Sequence, residues 1–433
     1  MRHLHIDIET YCDLDVSDVG VYRYAEDPSF RIILFAYSFD EGPVYALDTS
    51  GDTFPGESIP ADVWKALTAS DVQKIAHNAN FEFVCIGTHY GLSLDLTQWF
   101  CTMIGAAYLG LPLSLDKIGQ ILGLSEQKDT RGKALISYFC KPCKPTKSNG
   151  GRTRNLPEHT PEKWAAFTEY NRQDVKTEME IYRYLMRFPG LSQAEWGNWV
   201  LDQVINATGI TIDLELIKAA LEANAEFTKG VHDELVNITG IDNPNSLPQL
   251  KRWLCQELGY EVHSLGKDYL KDALDGDLLP DHVQRVFRLR QLASNTSISK
   301  YDTMLAYLCK DGRIRGLLQF YGANRTGRFA GRGVQIQNLK RTLKKGLETA
   351  REAVRKGIAD LLYDNLPDVI SRITRTALVA APGCSLVVSD FSAIEARVLA
   401  WEAGEEWVLD VFHTHGKIYE ATAANMFHVP LEM

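Results

Sequence analysis

No apolar run in this 433-residue chain approaches the roughly 20 residues that a membrane-crossing helix needs; Ile32 to Tyr37 is among the longest, and Leu386 to Val388 is shorter still. A spanning helix is therefore not expected. Basic residues are not in excess: 46 Lys and Arg stand against 56 Asp and Glu, a net charge of −10. That balance excludes nucleic-acid binding by bulk positive charge and leaves local basic patches open. Cysteine is sparse, with 8 residues scattered except for Cys140 and Cys143. That lone CxxC lacks the second pair of a structural zinc site, so its default reading is a loop-stabilising or incidental pair, and no disulfide frame is expected. The opening MRHLHIDIET places Asp7 and Glu9 where a signal peptide needs uninterrupted apolar residues. A cytoplasmic location follows as an expectation.

What is present is a globular composition, 45% hydrophobic, 24% charged and 10% aromatic, in a chain long enough for about three domains. Residues 3 to 8 alternate, and Arg31 to Asp40 is rich in Ile, Phe and Tyr, so both read as strands and as a neighbouring pair. Lys74 to His77 reads as a further strand, Phe81 to Tyr90 as a helix, and Trp164 to Arg187 as a long amphipathic helix. A basic segment at 141 to 155, with Lys141, Lys144, Lys147, Arg152 and Arg154 and no acid, reads as a loop that is either solvated or in contact with nucleic acid. Ser192 to Tyr307 reads as helical, with breaks at Gly209, Gly240 to Pro248 and Gly259 to Gly266. Gly312 to Leu343 reads as extended, Leu343 to Leu362 as a charged helix, Cys384 to Ser389 as a buried strand, and Ile394 to Ala403 as a helix.

Asp7 and Glu9 stand two apart on a strand, so their carboxylates leave one face and can share a metal. His77-Asn78-Ala79-Asn80-Phe81-Glu82 and Tyr170-Asn171-Arg172-Gln173-Asp174 supply further groups, the second with Tyr170 and Asp174 on one helical face. In this order the three elements resemble the DEDD family of 3′→5′ exonucleases, in its tyrosine-bearing branch. The resemblance implies two Mg²⁺ ions, with Mn²⁺ able to substitute, held by Asp7, Glu9, Glu82 and Asp174. Asp7 would bridge both metals, Tyr170 would orient the attacking water, and Asn78 would tether backbone or substrate. The second motif usually ends in Asp, whereas here Glu82 is one methylene longer.

Val387 to Arg397 (VVSDFSAIEAR) resembles motif A of family A DNA polymerases, the bacterial DNA polymerase I class. The resemblance makes Asp390 a ligand of the polymerase metals, Glu395 the residue that closes against the sugar 2′ position, and Arg397 a substrate-side residue. Thr326-Gly327-Arg328 with Gln337-Asn338-Leu339 is similar to the family's primer-binding segment, which implies DNA contacts from Arg328, Gln337 and Asn338. Ile205 to Asp213 looks like the opening of the polymerase thumb, and Asn243 to Trp253 like the family's Asn-Pro-x-Ser turn and helix. Between primer segment and motif A, Leu343 to Pro367 is longer than in bacterial polymerase I, and the seven basic residues within Lys340 to Lys356 read either as a solvated helix or as a DNA contact. That insertion, and no 5′-nuclease domain before Met1, look more like the bacteriophage branch, which places the protein in a bacterial host.

The chain ends 43 residues after Asp390, too soon for the family's fingers helix and its His-Asp-Glu motif. A complete exonuclease and an incomplete polymerase site are expected, with nucleotidyl transfer expected only where a second polypeptide supplies the fingers and the second carboxylate. His232-Asp233-Glu234 spells the missing motif but precedes Asp390 and sits in a helical run, so it reads as coincidence. The expected fold is an α/β exonuclease domain of ribonuclease H-like type at 1–189, a mainly helical thumb at 190–320, and an incomplete α+β palm at 321–433. The expected partners are DNA, as a single-stranded 3′ end and primer-template, and dNTP once the polymerase is completed. Two other readings are a stand-alone exonuclease for DNA or RNA, like the ribonuclease D branch, and a DNA-binding fragment with idle sites.

Overall fold

The computed structural model describes residues 2–52, 56–125, 132–262, 279–293, 298–323 and 325–431, together with positions 265, 266, 269 and 273. It divides into two compact units, Met1–Ala381 and Pro382–Met433. No helix among the described residues is long and apolar enough to cross a membrane.

The first unit opens with β1 (Arg2–Tyr11), α1 (Val16–Ala25), β2 (Arg31–Phe39) and β3 (Tyr45–Asp48). Then come α2 (Ala61–Thr68), β4 (Val72–Ala76), α3 (Asn80–Tyr90), β5 (Trp99–Cys101) and α4 (Thr102–Tyr108). These five strands form one sheet of order β3-β2-β1-β4-β5. β1 is antiparallel to β2 and parallel to β4, so the sheet is mixed, with β1 held by a ladder on each edge. Period-two alternation sorts β1 into two faces: Leu4, Ile6 and Ile8 join the apolar core, while His5, Asp7 and Glu9 point the other way. A register shift between Glu9 and Thr10 marks a bulge beside the acidic pair.

After α5 (Leu115–Leu122) and α6 (Gly132–Phe139), α7 (Pro161–Leu185) crosses the polar face of β1. Its buried stripe runs Trp164, Phe167, Tyr170, Asn171, Asp174, Glu178, Ile181 and Leu185, a three-to-four spacing. The apolar ends of this stripe hold the polar middle in place; each fully buried aromatic or aliphatic side chain contributes about 1.5–3 kcal/mol.

The expected strands and helices of this region are present. α8 (Gln193–Thr208) delivers Trp199 to the first core, and Asn206 clamps it to later chain. Its Nδ2 donates to Leu318 O and its Oδ1 accepts from Leu318 N, both at 2.9 Å. Gly209, the expected break, has φ 61°, and a Cβ there would meet Ile314 O at 2.4 Å, so only glycine allows this approach. β6 (Ile210–Ile212) follows, then α9 (Leu214–Thr239), capped by Asp213 Oδ1 accepting from Leu216 N. α10 (Leu247–Leu258) and α11 (Asp281–Ala293) join α9 around Val231, Leu235, Leu254 and Phe287. His263 and Ser264, in the expected break 259–266, lie outside the described residues.

After α12 (Ser299–Ala306), β7 (Arg313–Ile314) and the hairpin of β8 (Leu318–Ala323) and β9 (Arg328–Gly331) bear out the extended reading of 312–343, apart from a short 3-10 turn at Ile336–Asn338. α13 (Leu347–Arg355), α14 (Leu366–Ile373) and β10 (Leu378–Val379) complete the unit, with β10-β6-β7 as a small sheet. The charged helix is shorter than the expected 343–362. Gly357, in the left-handed region, ends it, and only a short 3-10 turn at Ala359–Leu361 follows.

The second unit contains α15 (Ile394–Ala403), matching the expected helix, α16 (Glu406–Thr414) and α17 (Ile418–Phe427). The expected buried strand at Cys384 to Ser389 is not formed: the segment has no regular structure, and Val387 is 94% exposed. A strand needs a ladder partner for its backbone groups, and among the described residues this unit has none.

Asp202, on α8, is buried and accepts from Gln203 Nε2 at 2.8 Å; burial pushes its carboxyl up to about 6. An acid raised in the folded state binds more protons folded than unfolded between pH 4 and 6, so its contribution to stability falls as pH rises through that window. Asp202→Asn is expected to flatten the pH dependence of the denaturation midpoint there and to stabilise the protein at pH 7. Equal midpoints at pH 7 would contradict this.

Candidate metal centre

The strand face and the helix stripe meet on three carboxylates. One oxygen from each of Asp7, Glu9 and Asp174 lies within 4.8 Å of the other two, the one such group among the described residues. Hard oxygen donors at this spacing suit Mg²⁺ or Mn²⁺. Asn171, one turn before Asp174, donates from Nδ2 to Asp7 Oδ2 at 2.6 Å and to Asp7 O at 3.3 Å, fixing the Asp7 carboxylate from behind.

Glu82 enters from the first turn of α3. It lies outside the trio, 3% exposed, and its Oε2 has no hydrogen-bond partner. Burial, then the charges of Asp7, Glu9 and Glu178, push its carboxyl well above the usual range. An orphaned buried carboxyl oxygen beside three carboxylates fits a cation-binding centre, since a cation removes both penalties. Asn78 is exposed and left-handed at φ 66°, a conformation Asn tolerates, and its carbonyl accepts from Phe81 N at 2.9 Å to open α3.

Tyr170 is 1% exposed and hydrogen-bonded to Asp174; burial and the neighbouring carboxylates raise its phenol, so it stays neutral. Its ring lies nearly parallel to Phe167 at 6.0 Å and beneath Gly132, where a Cβ would meet the ring at 2.1 Å. Gly132→Ala is therefore expected to lower stability by about 1–3 kcal/mol through overpacking. Thermal unfolding checks this, and an unshifted midpoint would mean that α6 yields freely.

Two residues escaped the sequence reading. His5 Nδ1 and Glu178 Oε2 are 2.7 Å apart, with side chains 2% and 3% exposed, behind the trio. Their signal was available, His5 two residues before Asp7 and Glu178 one turn after Asp174, but only the strand-helix register gives it meaning. Cys140 Sγ lies 3.8 Å from Glu9 Oε2, and Cys143 Sγ contacts Arg152 O at 3.4 Å. All eight cysteines are free, and Cys143 helps hold the basic loop.

That loop is partly committed: Lys141 pairs with Asp15, and Arg154 stacks 3.9 Å over the Tyr11 ring. In the second basic segment Arg351 and Arg355 pair with Asp213, and Lys340 with Asp368 at 3.2 Å. The two arginines tie α13 to the start of α9, and Lys340 ties the chain before α13 to α14. Arg328, Gln337 and Asn338 are exposed in the first unit. In the second, Asp390 and Glu395 are exposed, and Arg397 donates to Ser392 O at 2.8 Å and stacks on Phe412. The decoy Glu234 is a structural residue, bonded to both nitrogens of an Arg285 fork at 2.6 and 2.7 Å.

Comparison with known proteins extends this picture. The chain is 50% identical over 435 aligned residues to the DNA polymerase of Bacillus phage SP02, covering 100% of this chain and 66% of that protein. It is 30% identical over 238 residues to the thermostable DNA polymerase I of Thermus thermophilus, covering 53% of this chain and 25% of the relative. It thus spans just under two thirds of the phage protein and a quarter of the Thermus one. Among solved structures, the POL domain of Pol1 from M. smegmatis, in complex with DNA primer-template and dNTP, matches with a TM-score of 0.54 at 16% identity, covering 100% of this chain and 64% of that one. That likeness is one of fold: a mixed α/β sheet with helices, then a mostly helical region. Residues 214–433 match the family model for DNA polymerase family A, and the chain belongs to that family.

Proposed function

We propose that this chain carries a two-metal 3′→5′ exonuclease for single-stranded DNA ends, joined to the polymerase portion of a phage-type family A enzyme that acts in DNA replication. The observation that carries the reading is the convergence of Asp7, Glu9 and Asp174 within 4.8 Å, with Tyr170 hydrogen-bonded to Asp174. Two Mg²⁺ ions, when bound, would supply an activated water and stabilise the leaving 3′ oxygen. The protein holds Asp7 through Asn171, keeps a neutral Tyr170 hydroxyl beside Asp174, and brings Glu82 in as a fourth carboxylate. We assign residues 1–189 to a ribonuclease H-like exonuclease domain, 190–320 to the thumb and 321–433 to part of the palm. Asp390, Glu395 and Arg397, with Arg328, Gln337 and Asn338, belong in this reading to a polymerase site whose fingers and second carboxylate lie outside these 433 residues. The extra length of the phage relative and the DNA in the mycobacterial complex support it.

The test is a 5′-labelled single strand incubated with the protein and Mg²⁺. Stepwise shortening from the 3′ end, stopped by chelator and slower on RNA of the same sequence, is expected. A strand left intact with both Mg²⁺ and Mn²⁺ would refute the assignment.

A further inference from the structure

A cavity of about 1030 Å³ in the first unit lies away from the carboxylates, between α9, α11 and residues 354–366, which run from the end of α13 to the start of α14. It would hold roughly two turns of α-helix, about 10 Å across and 5.4 Å per turn. Its floor is apolar: Ala223, Phe227 and Val231 of α9 with Leu289 of α11. Its rim is acidic. Glu222 and Glu226 stand on one side, Asp360 and Asp364 on the other, all four exposed, and among the described residues none pairs with a cation. The rim's own cations are already taken, Arg285 by Glu234, Arg355 by Asp213 and Glu352, and Lys356 by Glu352.

Two further features point to an occupant. Beside the rim, Ile358, Leu361 and Leu362 are 41%, 79% and 55% exposed, an apolar lip that soluble surfaces rarely carry without a partner. Gly230 lines the cavity in the middle of the 26-residue α9, where a Cβ would meet nothing within 4 Å. A mid-helix glycine weakens a helix, and here it leaves backbone open to close approach.

We propose that this groove docks a basic amphipathic helix of a partner protein, its apolar face on the floor and lip and its Lys or Arg side chains against the four rim carboxylates. DNA is disfavoured by the same carboxylates, and a second copy of this chain would oppose acidic rim to acidic rim.

The probe is a fluorescein-labelled synthetic helix with leucine on one face and lysine on the other, followed by anisotropy with the full chain. Binding that weakens with salt is expected, absent for the matching leucine-glutamate and serine-lysine peptides. Glu226→Lys with Asp364→Lys, and separately Leu361→Ser with Leu362→Ser, should each weaken it at least about tenfold. Gly230→Leu should also block binding while raising the melting temperature, which separates occlusion from unfolding. Equal binding of a control peptide, undiminished binding to Gly230→Leu, displacement by single-stranded DNA, or a dimer dissolved by the Leu361/Leu362 change would each overturn the proposal.

Discussion

Replacing Asp7 and Asp174 together by alanine is expected to cut 3′→5′ degradation of single-stranded DNA by more than roughly 100-fold, the upper end of what losing an outer-shell partner alone costs a metal site. Two of the three converging carboxylates disappear, so the cations lose their shared ligands. A structural role for these residues predicts a different companion result. Like charges within 4.8 Å of one another repel by at least about 3 kcal/mol at an effective dielectric near 20, before solvent screening lowers it. In chelator, the double variant should therefore melt higher than the parent. Added Mg²⁺ should stabilise the parent by about 2.7 kcal/mol at a hundredfold excess over its dissociation constant, and the variant hardly at all. Undiminished degradation would place the nuclease chemistry elsewhere.

Glu178→Ala is expected to destabilise the protein by about 1–3 kcal/mol, the cost of leaving a buried hydrogen-bonding group without its partner. The pair joins residues 173 apart in sequence, so its loss unpins α7 from β1 and strands the His5 ring without its partner. Denaturant midpoints measure this. Glu178→Gln, which keeps a hydrogen-bond acceptor, should cost less, and His5→Phe with Glu178→Leu should recover most of the loss, because a dry apolar pair carries no desolvation penalty. A midpoint unmoved by Glu178→Ala would show that α7 is held by its apolar ends alone.

Much of this was legible because strand alternation and helical periodicity report burial directly. Leu4, Ile6 and Ile8 set the face of β1, and with it the opposite face of Asp7 and Glu9. The α7 stripe likewise announced Tyr170 and Asp174 on one side. His5 and Glu178 were illegible for a physical reason: a glutamate on an amphipathic helix looks solvated until the helix is placed on its strand. Cys384 to Ser389 failed in the opposite sense, since a β-rich run specifies a strand only where another strand accepts its hydrogen bonds. The basic segment 340–356 invited a nucleic-acid reading because sequence shows charges and not their partners; Asp213, more than a hundred residues earlier, takes two of the arginines.

The route by which the carboxylates meet has a consequence for synthesis on the ribosome. β1, β2 and β3 are consecutive antiparallel neighbours and can pair as soon as they emerge, whereas Asn171 reaches Asp7 across 164 residues of chain. Contacts of such separation form late, because loop-closure entropy precedes their reward. A nascent chain released before α7 should thus display Asp7 and Glu9 on a formed sheet without nuclease activity, and activity should appear in step with the emergence of Asp174.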